Sequence, residues 1–228
     1  MTNTMDADTT TLKWSVLEAR GDDAETFLQG QLSQDLSHLD ATGAWTLALA
    51  PDSVVVTAAF VTRVDDGIDL VVPRELADAT SSRLRRFLLR TKCAITVHEV
   101  EAGPYATIDE LIEARWPGAN EFAKSLTPHS FGRHFVDATI SFQKGCFTGQ
   151  ELVGRLDARG SSVPWRFVRA TGPSAEAIDA ALTSKGPEGP KGLTTWRARD
   201  GKVEGLGVAH RTLIGADGLD GITIEEIE

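Results

Sequence analysis

A chain of 228 residues, 41% hydrophobic, is long enough for one large domain or two to three small ones and has ample apolar residues for a core. Its 33 acidic against 23 basic residues give a net charge of -10, which argues against a broad phosphate-tracking surface and so against direct nucleic-acid binding. No apolar run approaches the ~20 residues that span a bilayer, the polar start Met1 to Thr11 has no signal-peptide hydrophobic region, and two cysteines cannot build a disulfide framework; a cytoplasmic protein without a membrane partner is expected.

In chain order, Leu12 to Ala19 reads as a strand. Asp22 and Glu25 then open a helix whose apolar residues Ala24, Phe27, Leu28, Leu32, Leu36 and Leu39 recur at helical spacing. Its polar side gathers Gln29, Gln31, Gln34 and Asp35 around Gly30, a glycine that costs about 1 kcal/mol inside a helix unless something approaches it closely. Trp45 to Ala50 and Val54 to Arg63 read as strands, and Asp65-Asp66-Gly67 turns the chain into Ile68 to Val72, an antiparallel meander.

A helix is expected over Arg74 to Arg90, with Leu76, Ala79, Leu84, Phe87 and Leu88 inward. Its end carries Arg83, Arg85, Arg86, Arg90 and Lys92, which suit the negative pole of the helix dipole or form an anion- or partner-binding patch. Cys93 begins a strand to Val100 and shares a face with Ile95 and Val97, the setting of an inert buried thiol. Thr107 to Arg115 gives a short helix, and Trp116-Pro117-Gly118 starts a loop that runs through Thr127-Pro128.

That loop leads to Phe142-Gln143-Lys144-Gly145-Cys146-Phe147-Thr148-Gly149-Gln150-Glu151. Thr148 with Glu151 reads as a capping box, so a helix begins at about Gly149, carries Leu152, Val153 and Leu156 as its apolar stripe, and ends before Gly160. Cys146 then lies just ahead of a helix N-terminus with Lys144 close in sequence, a setting that favours the thiolate. The same N-terminus could instead receive a ligand carboxylate. Ser161 to Pro164 begins a new composition. From Trp165 onward come short strand signals, a loop from Lys185 to Gly192, and a hairpin of Thr194 to Arg199 and Val203 to Ala209 across Asp200-Gly201, which together suggest a small β-barrel. The five histidines show no metal-ligand spacing, and no metal site is expected.

The run Lys144 to Glu151 resembles the K-G-C-Y/F-x-G-Q-E signature of the YgfZ family of folate-binding proteins, relatives of the glycine cleavage T-protein. Phe27-Leu28-Gln29-Gly30-Gln31 with Asp35, the strand ending at Arg63, Leu88 to Lys92, Thr127-Pro128 and Gly192-Leu193-Thr194-Thr195 are similar to the family pattern at matching places, so the resemblance extends over about the whole chain. It implies an α+β fold, a T-protein-like folate-binding body with a central channel plus a C-terminal β-barrel. Three segments follow: 1–102 and 103–162 as the two lobes, the second with the motif, and 163–228 as the barrel. It further implies tetrahydrofolate, or a one-carbon derivative of it, as the cofactor. The implied role is an accessory one in assembly or repair of iron–sulfur clusters in client enzymes, tRNA-modifying ones included. The partners would be those enzymes or assembly factors, and the chain a monomer or weak homodimer.

Cys146 and Lys144 are the working residues on this reading. Glu113, Lys144, Phe147, Gln150, Glu151, Gln29, Gln31 and Arg63 are the folate-binding ones. Glu113 aligns with a family glutamate that contacts the pterin, whose amino group and ring N–H match a bidentate carboxylate. The acidic pair of the T-protein aligns with Thr57 and Ala58, so a proposed acid/base group is missing here. Two alternatives stay open: a folate-dependent aminomethyltransferase-like one-carbon transferase or demethylase, and a non-catalytic regulatory scaffold.

Overall fold

The computed structural model describes residues 11–160, 163–215 and 221–228; the polar start and the change of composition at Ser161 fall largely outside them. The chain divides into two compact units, one of residues 13–104 with 134–161 and the other of residues 1–12, 105–133 and 162–228. The cut between 133 and 134 falls within the stretch read as a second lobe.

In the first unit, β1 (Trp14–Arg20), β2 (Ala44–Leu49), β3 (Val55–Val64), β4 (Gly67–Pro73) and β5 (Ala94–Val100) form an antiparallel sheet in the order β2-β3-β4-β1-β5. The expected meander is present, with Val64 paired to Gly67 across the Asp65-Asp66 turn. A Cβ on Gly67 would lie 2.1 Å from the Ala19 carbonyl oxygen, so only glycine lets β4 approach β1 there. Alternation along β1, β3 and β4 sends Leu17, Ala19, Ala59, Val61, Ile68, Leu70 and Val72 to one face. Phe27 and Leu28 of α1 (Ala24–Gln31) and Ala77 and Leu84 of α2 (Ala77–Arg85) pack in the same core.

Both helices are shorter than their periodicity predicts. α1 stops at Gln31 because Leu32 turns to extended backbone and bridges Ala48; Leu32, Leu36 and Leu39 are buried from an irregular loop. Arg74–Leu76 is a 3₁₀ turn, α2 ends at Arg85, Ala79 is exposed, and Phe87 is 43% exposed rather than inward. The unit is completed by α5 (Arg133–Thr139) and α6 (Gln150–Ala158).

In the second unit, α3 (Ile108–Ala114) begins at Thr107, whose hydroxyl accepts the Glu110 N–H while the Glu110 carboxylate accepts the Ala106 N–H. The loop read through Thr127-Pro128 contains α4 (Ala119–Phe122) and a 3₁₀ turn at Pro128–Phe131. Strands β6 (Trp165–Gly172), β7 (Gly192–Arg199), β8 (Lys202–His210) and β9 (Thr223–Glu226) form a sheet in the order β7-β8-β6-β9. The Asp200-Gly201 hairpin is as read, both residues taking positive φ.

The barrel expectation needs correction. The sheet is open among the described residues, because β7 and β9 are its edges and do not pair. One face is instead covered by α7 (Ala175–Thr183), capped by Ser174, whose Ile178 and Leu182 pack on Val168, Ala170, Val203 and Ile224. This helix was legible from the serine cap and the 178/182 spacing, yet the surrounding strand signals masked it.

Candidate functional site

The motif turn is built on the end of α1. Where that helix stops, its last carbonyls lose their intrahelical donors. Lys144 supplies them: Nζ donates to the carbonyls of Gln29 (2.6 Å), Leu32 (2.7 Å) and Gln34 (2.9 Å). The residue is only 8% exposed, and Nζ stands 5.4 Å from the centroid of the buried Phe147 ring. Burial pushes the ammonium pKa down to about 8, against a smaller upward pull from Asp35. All three donors are thus engaged within the chain. Lys144, a working and folate-binding residue on the resemblance, pins the end of α1 to the motif turn.

The glutamines are engaged in the same cluster. Gln29 donates to Asp35 Oδ1 (2.8 Å) and accepts the Leu36 N–H (2.8 Å), which fixes the loop after α1. The Ser37 N–H first, then Gln29 and the Ser37 hydroxyl, hold the Asp35 carboxyl at about 2. Gln31 Oε1 accepts from Arg83 Nη1 (2.5 Å) and lies 3.4 Å from Thr148 Oγ1. Arg83 also donates to the carbonyls of Leu49 (2.8 Å) and Gln31 (3.3 Å), is buried, and has no carboxylate in ion-pair range among the described residues. Burial takes its guanidinium down to about 10. The sequence left Arg83 to helix-end electrostatics or to an anion- or partner-binding patch; that it shares the buried side with Thr80, three residues earlier, shows in the structure.

The capping box at Thr148 and Glu151 does not form. Gly149, at φ 84°, is itself the residue before α6, so Thr148 lies one position too early; its N–H donates to the Gly30 carbonyl (3.2 Å), and Glu151 pairs with Arg155. A Cβ on Gly149 would come 2.7 Å from the Ala50 carbonyl oxygen, and Ser53 Oγ donates to the Gly149 carbonyl (2.5 Å). These contacts clamp the turn against the β2–β3 connection.

Cys146 is exposed between the buried Lys144 and Phe147. A Cβ added to Gly30 or Gly145 would meet nothing within 4 Å, so open space adjoins the turn, and Gly30 is not demanded by a close approach of the chain itself. Gln150, half-buried at the first position of α6, makes no side-chain hydrogen bond among the described residues. Arg63 lines a cleft of about 860 Å³ with Arg20, Asp22, Asp40 and Asp65, which no motif residue lines; it donates to Glu25 (2.9 Å) and to the carbonyls of Leu36 and Leu39. Cys93 is half-buried against the core, and burial pushes its thiol pKa up.

No family model matches the chain. An uncharacterized protein of Haemophilus influenzae is 26% identical over 198 residues, covering 68% of this chain and 70% of that protein. The glycine cleavage system aminomethyltransferase T of Bartonella henselae aligns over 96% of this chain and 86% of its own, with a TM-score of 0.61 and 14% identity. The chain has a fold like that of aminomethyltransferase T.

On this aminomethyltransferase-like fold, Thr57 and Ala58 lie on β3, 0% and 1% exposed, and the Thr57 hydroxyl donates to the Ala58 carbonyl. Neither carries a carboxylate that could move a proton. Glu113 belongs to the other unit, where Arg197 holds its carboxylate below the usual range. Arg197 also meets Glu204 and Asp109, and Arg199 meets Glu113. Among the described residues no three His, Cys, Asp or Glu side chains converge on a metal-sized site, and no helix is long and apolar enough to cross a membrane.

Proposed function

We propose that this protein is a tetrahydrofolate-binding accessory factor for iron–sulfur cluster assembly or repair, a YgfZ-type relative of the T-protein, that acts by presenting Cys146. The observation that carries this reading is an exposed thiol on a turn fixed from beneath by Lys144, Thr148 and Gly149. An exposed thiol held at a set place suits ligation or exchange with an external group. One thiol holds no cluster unaided, so the other ligands come from the partner that receives the cluster.

The motif resemblance and the fold support folate as the cofactor; bound tetrahydrofolate would accept a one-carbon unit, and a one-carbon derivative would supply one. Gln150, two residues after the Thr148 that meets the Gly30 carbonyl, carries an amide with no hydrogen bond among the described residues, and its donor and acceptor are the pairing that a pterin edge asks for. Gln29, Gln31, Lys144 and Arg63 are engaged within the chain and position the turn and its loop rather than grip a ligand. The buried Thr57 and Ala58 weigh against the aminomethyltransferase-like transferase reading.

Calorimetric titration of tetrahydrofolate and its 5-formyl form into wild type, Gln150→Ala and Cys146→Ala tests the assignment. Saturable binding is expected, weakened by Gln150→Ala and unchanged by Cys146→Ala, with Cys146→Ala abolishing rescue of iron–sulfur enzyme activity in depleted cells. Absence of binding at millimolar ligand refutes the folate assignment, and full rescue by Cys146→Ala leaves the scaffold reading.

A further inference from the structure

Among the described residues, Phe87, Leu89, Phe142 and Leu152 are the large hydrophobic side chains left exposed, at 43%, 84%, 39% and 37%. They fall in two short segments of one unit, residues 86–92 after α2 and residues 142–159 around the motif. The two segments are linked through Arg83. The Phe87 ring centroid lies 5.3 Å from the Arg83 guanidinium, Arg83 donates to Gln31, and Gln31 meets Thr148 of the motif. Val153 is the one buried residue of α6, and Leu152 beside it is 37% exposed.

Charge accompanies the apolar groups. Arg86, Arg90 and Arg159 are exposed in these same segments and make no ion pair among the described residues, while nearby Glu151 is paired with Arg155 and Asp22 with Lys92. Unpaired arginines around exposed Phe and Leu are the composition of a protein–protein contact. They stand out against a chain of net charge -10, whose general field opposes a long polyanion such as RNA or an anionic membrane but not a confined acidic patch.

We infer that the 86–92 segment and the Cys146 turn form one docking surface for a partner protein whose contact patch is apolar at its centre and acidic at its rim. The inference deepens the reading of Cys146 as a presented thiol, since such a partner would be seated over that thiol. The contact itself is independent of thiol chemistry and of folate.

The test places the photo-cross-linker p-benzoylphenylalanine at position 89, at position 152 and, as a control, at the exposed position 188 of the other unit, in the full chain in cells. Positions 89 and 152 are expected to give an adduct with the same protein, mapped by mass spectrometry to an Asp/Glu-rich segment, and position 188 not to give it. Reversal of charge by Arg86→Glu with Arg90→Glu should lower adduct yield about tenfold, with an unchanged melting temperature as the folding control. The adduct should persist in Cys146→Ala, which separates failure of the surface from failure of the thiol reading. Adducts with RNA or lipid, different proteins at the two positions, no adduct, or indifference to charge reversal would each overturn the proposal.

Discussion

Two groups of cations in this protein behave in opposite ways. Around the motif, Lys144 and Arg83 are buried and meet backbone carbonyls and one amide, with no carboxylate in ion-pair range among the described residues. In the β6–β9 unit, Arg197, Arg169, Arg166 and Arg115 each meet carboxylates, those of Glu113, Glu204, Glu226 and Glu225 among them. A carbonyl has no charge to give back, so the buried cations are retained for where they hold the chain, and removing one orphans several acceptors at once. Of these, Arg166, Arg169 and Arg115 sit nearer water, where solvent replaces a lost partner at little cost, whereas the Arg197 side chain is 9% exposed and differs from Lys144 and Arg83 by its carboxylate partners Asp109, Glu113 and Glu204 rather than by exposure.

The sharpest break in this contrast is Lys144→Met, which keeps the volume and strands the Gln29, Leu32 and Gln34 carbonyls. A loss of about 3 kcal/mol in urea unfolding is expected, and a loss below about 0.5 kcal/mol would show that the ammonium is no pin. Arg83→Met should cost about 2 kcal/mol by the same measurement, because Gln31 and the Leu49 carbonyl lose their donor. Tryptic cleavage in the Lys144 turn should rise with it.

Asp35 tests the loop that Lys144 holds. Its carboxyl is depressed from 3.8 to about 2 in the fold, so the unfolded chain binds the proton first as pH falls. The stability it contributes is whole above about pH 4 and is lost as pH drops toward 2. Asp35→Asn should therefore lower stability at pH 6 and flatten the decline between pH 4 and pH 2, read by urea midpoints across that range. An unaltered pH slope would place the acid sensitivity elsewhere.

The smallest effect is expected on the other side. Glu113→Gln removes a carboxylate that is 57% exposed and should change stability by less than about 0.5 kcal/mol, a change that salt suppresses. A larger, salt-independent loss would make the Glu113–Arg197 pair a buried network and remove the distinction between the two units.

Much of the fold was legible locally. The meander β2–β4, the hairpin across Asp200-Gly201 and the short helix α3 follow from alternation, turn residues and caps, because each is decided within a few residues, whereas the helix after Gly149 starts where expected without the capping box that placed it. The helix ends were not. α1 carries helical periodicity through Leu39, yet it stops at Gln31 because Leu32 joins Ala48 and a lysine 112 residues later takes its carbonyl. The open edges of the last sheet were likewise beyond sequence, since closure depends on which strands meet in space.

At the site, the sequence by itself determined that Lys, Cys, Gln and Glu sit together at the start of a helix, since adjacency in the chain guarantees it. Only the tertiary structure decided which of them face outward: Lys144 turns in to satisfy the end of α1, Thr148 turns to Gln31 rather than to its own helix, and Cys146 and Gln150 are left available. The physical reason is that a buried polar atom must find a partner, and the partners here come from residues 29 to 34, more than a hundred positions away.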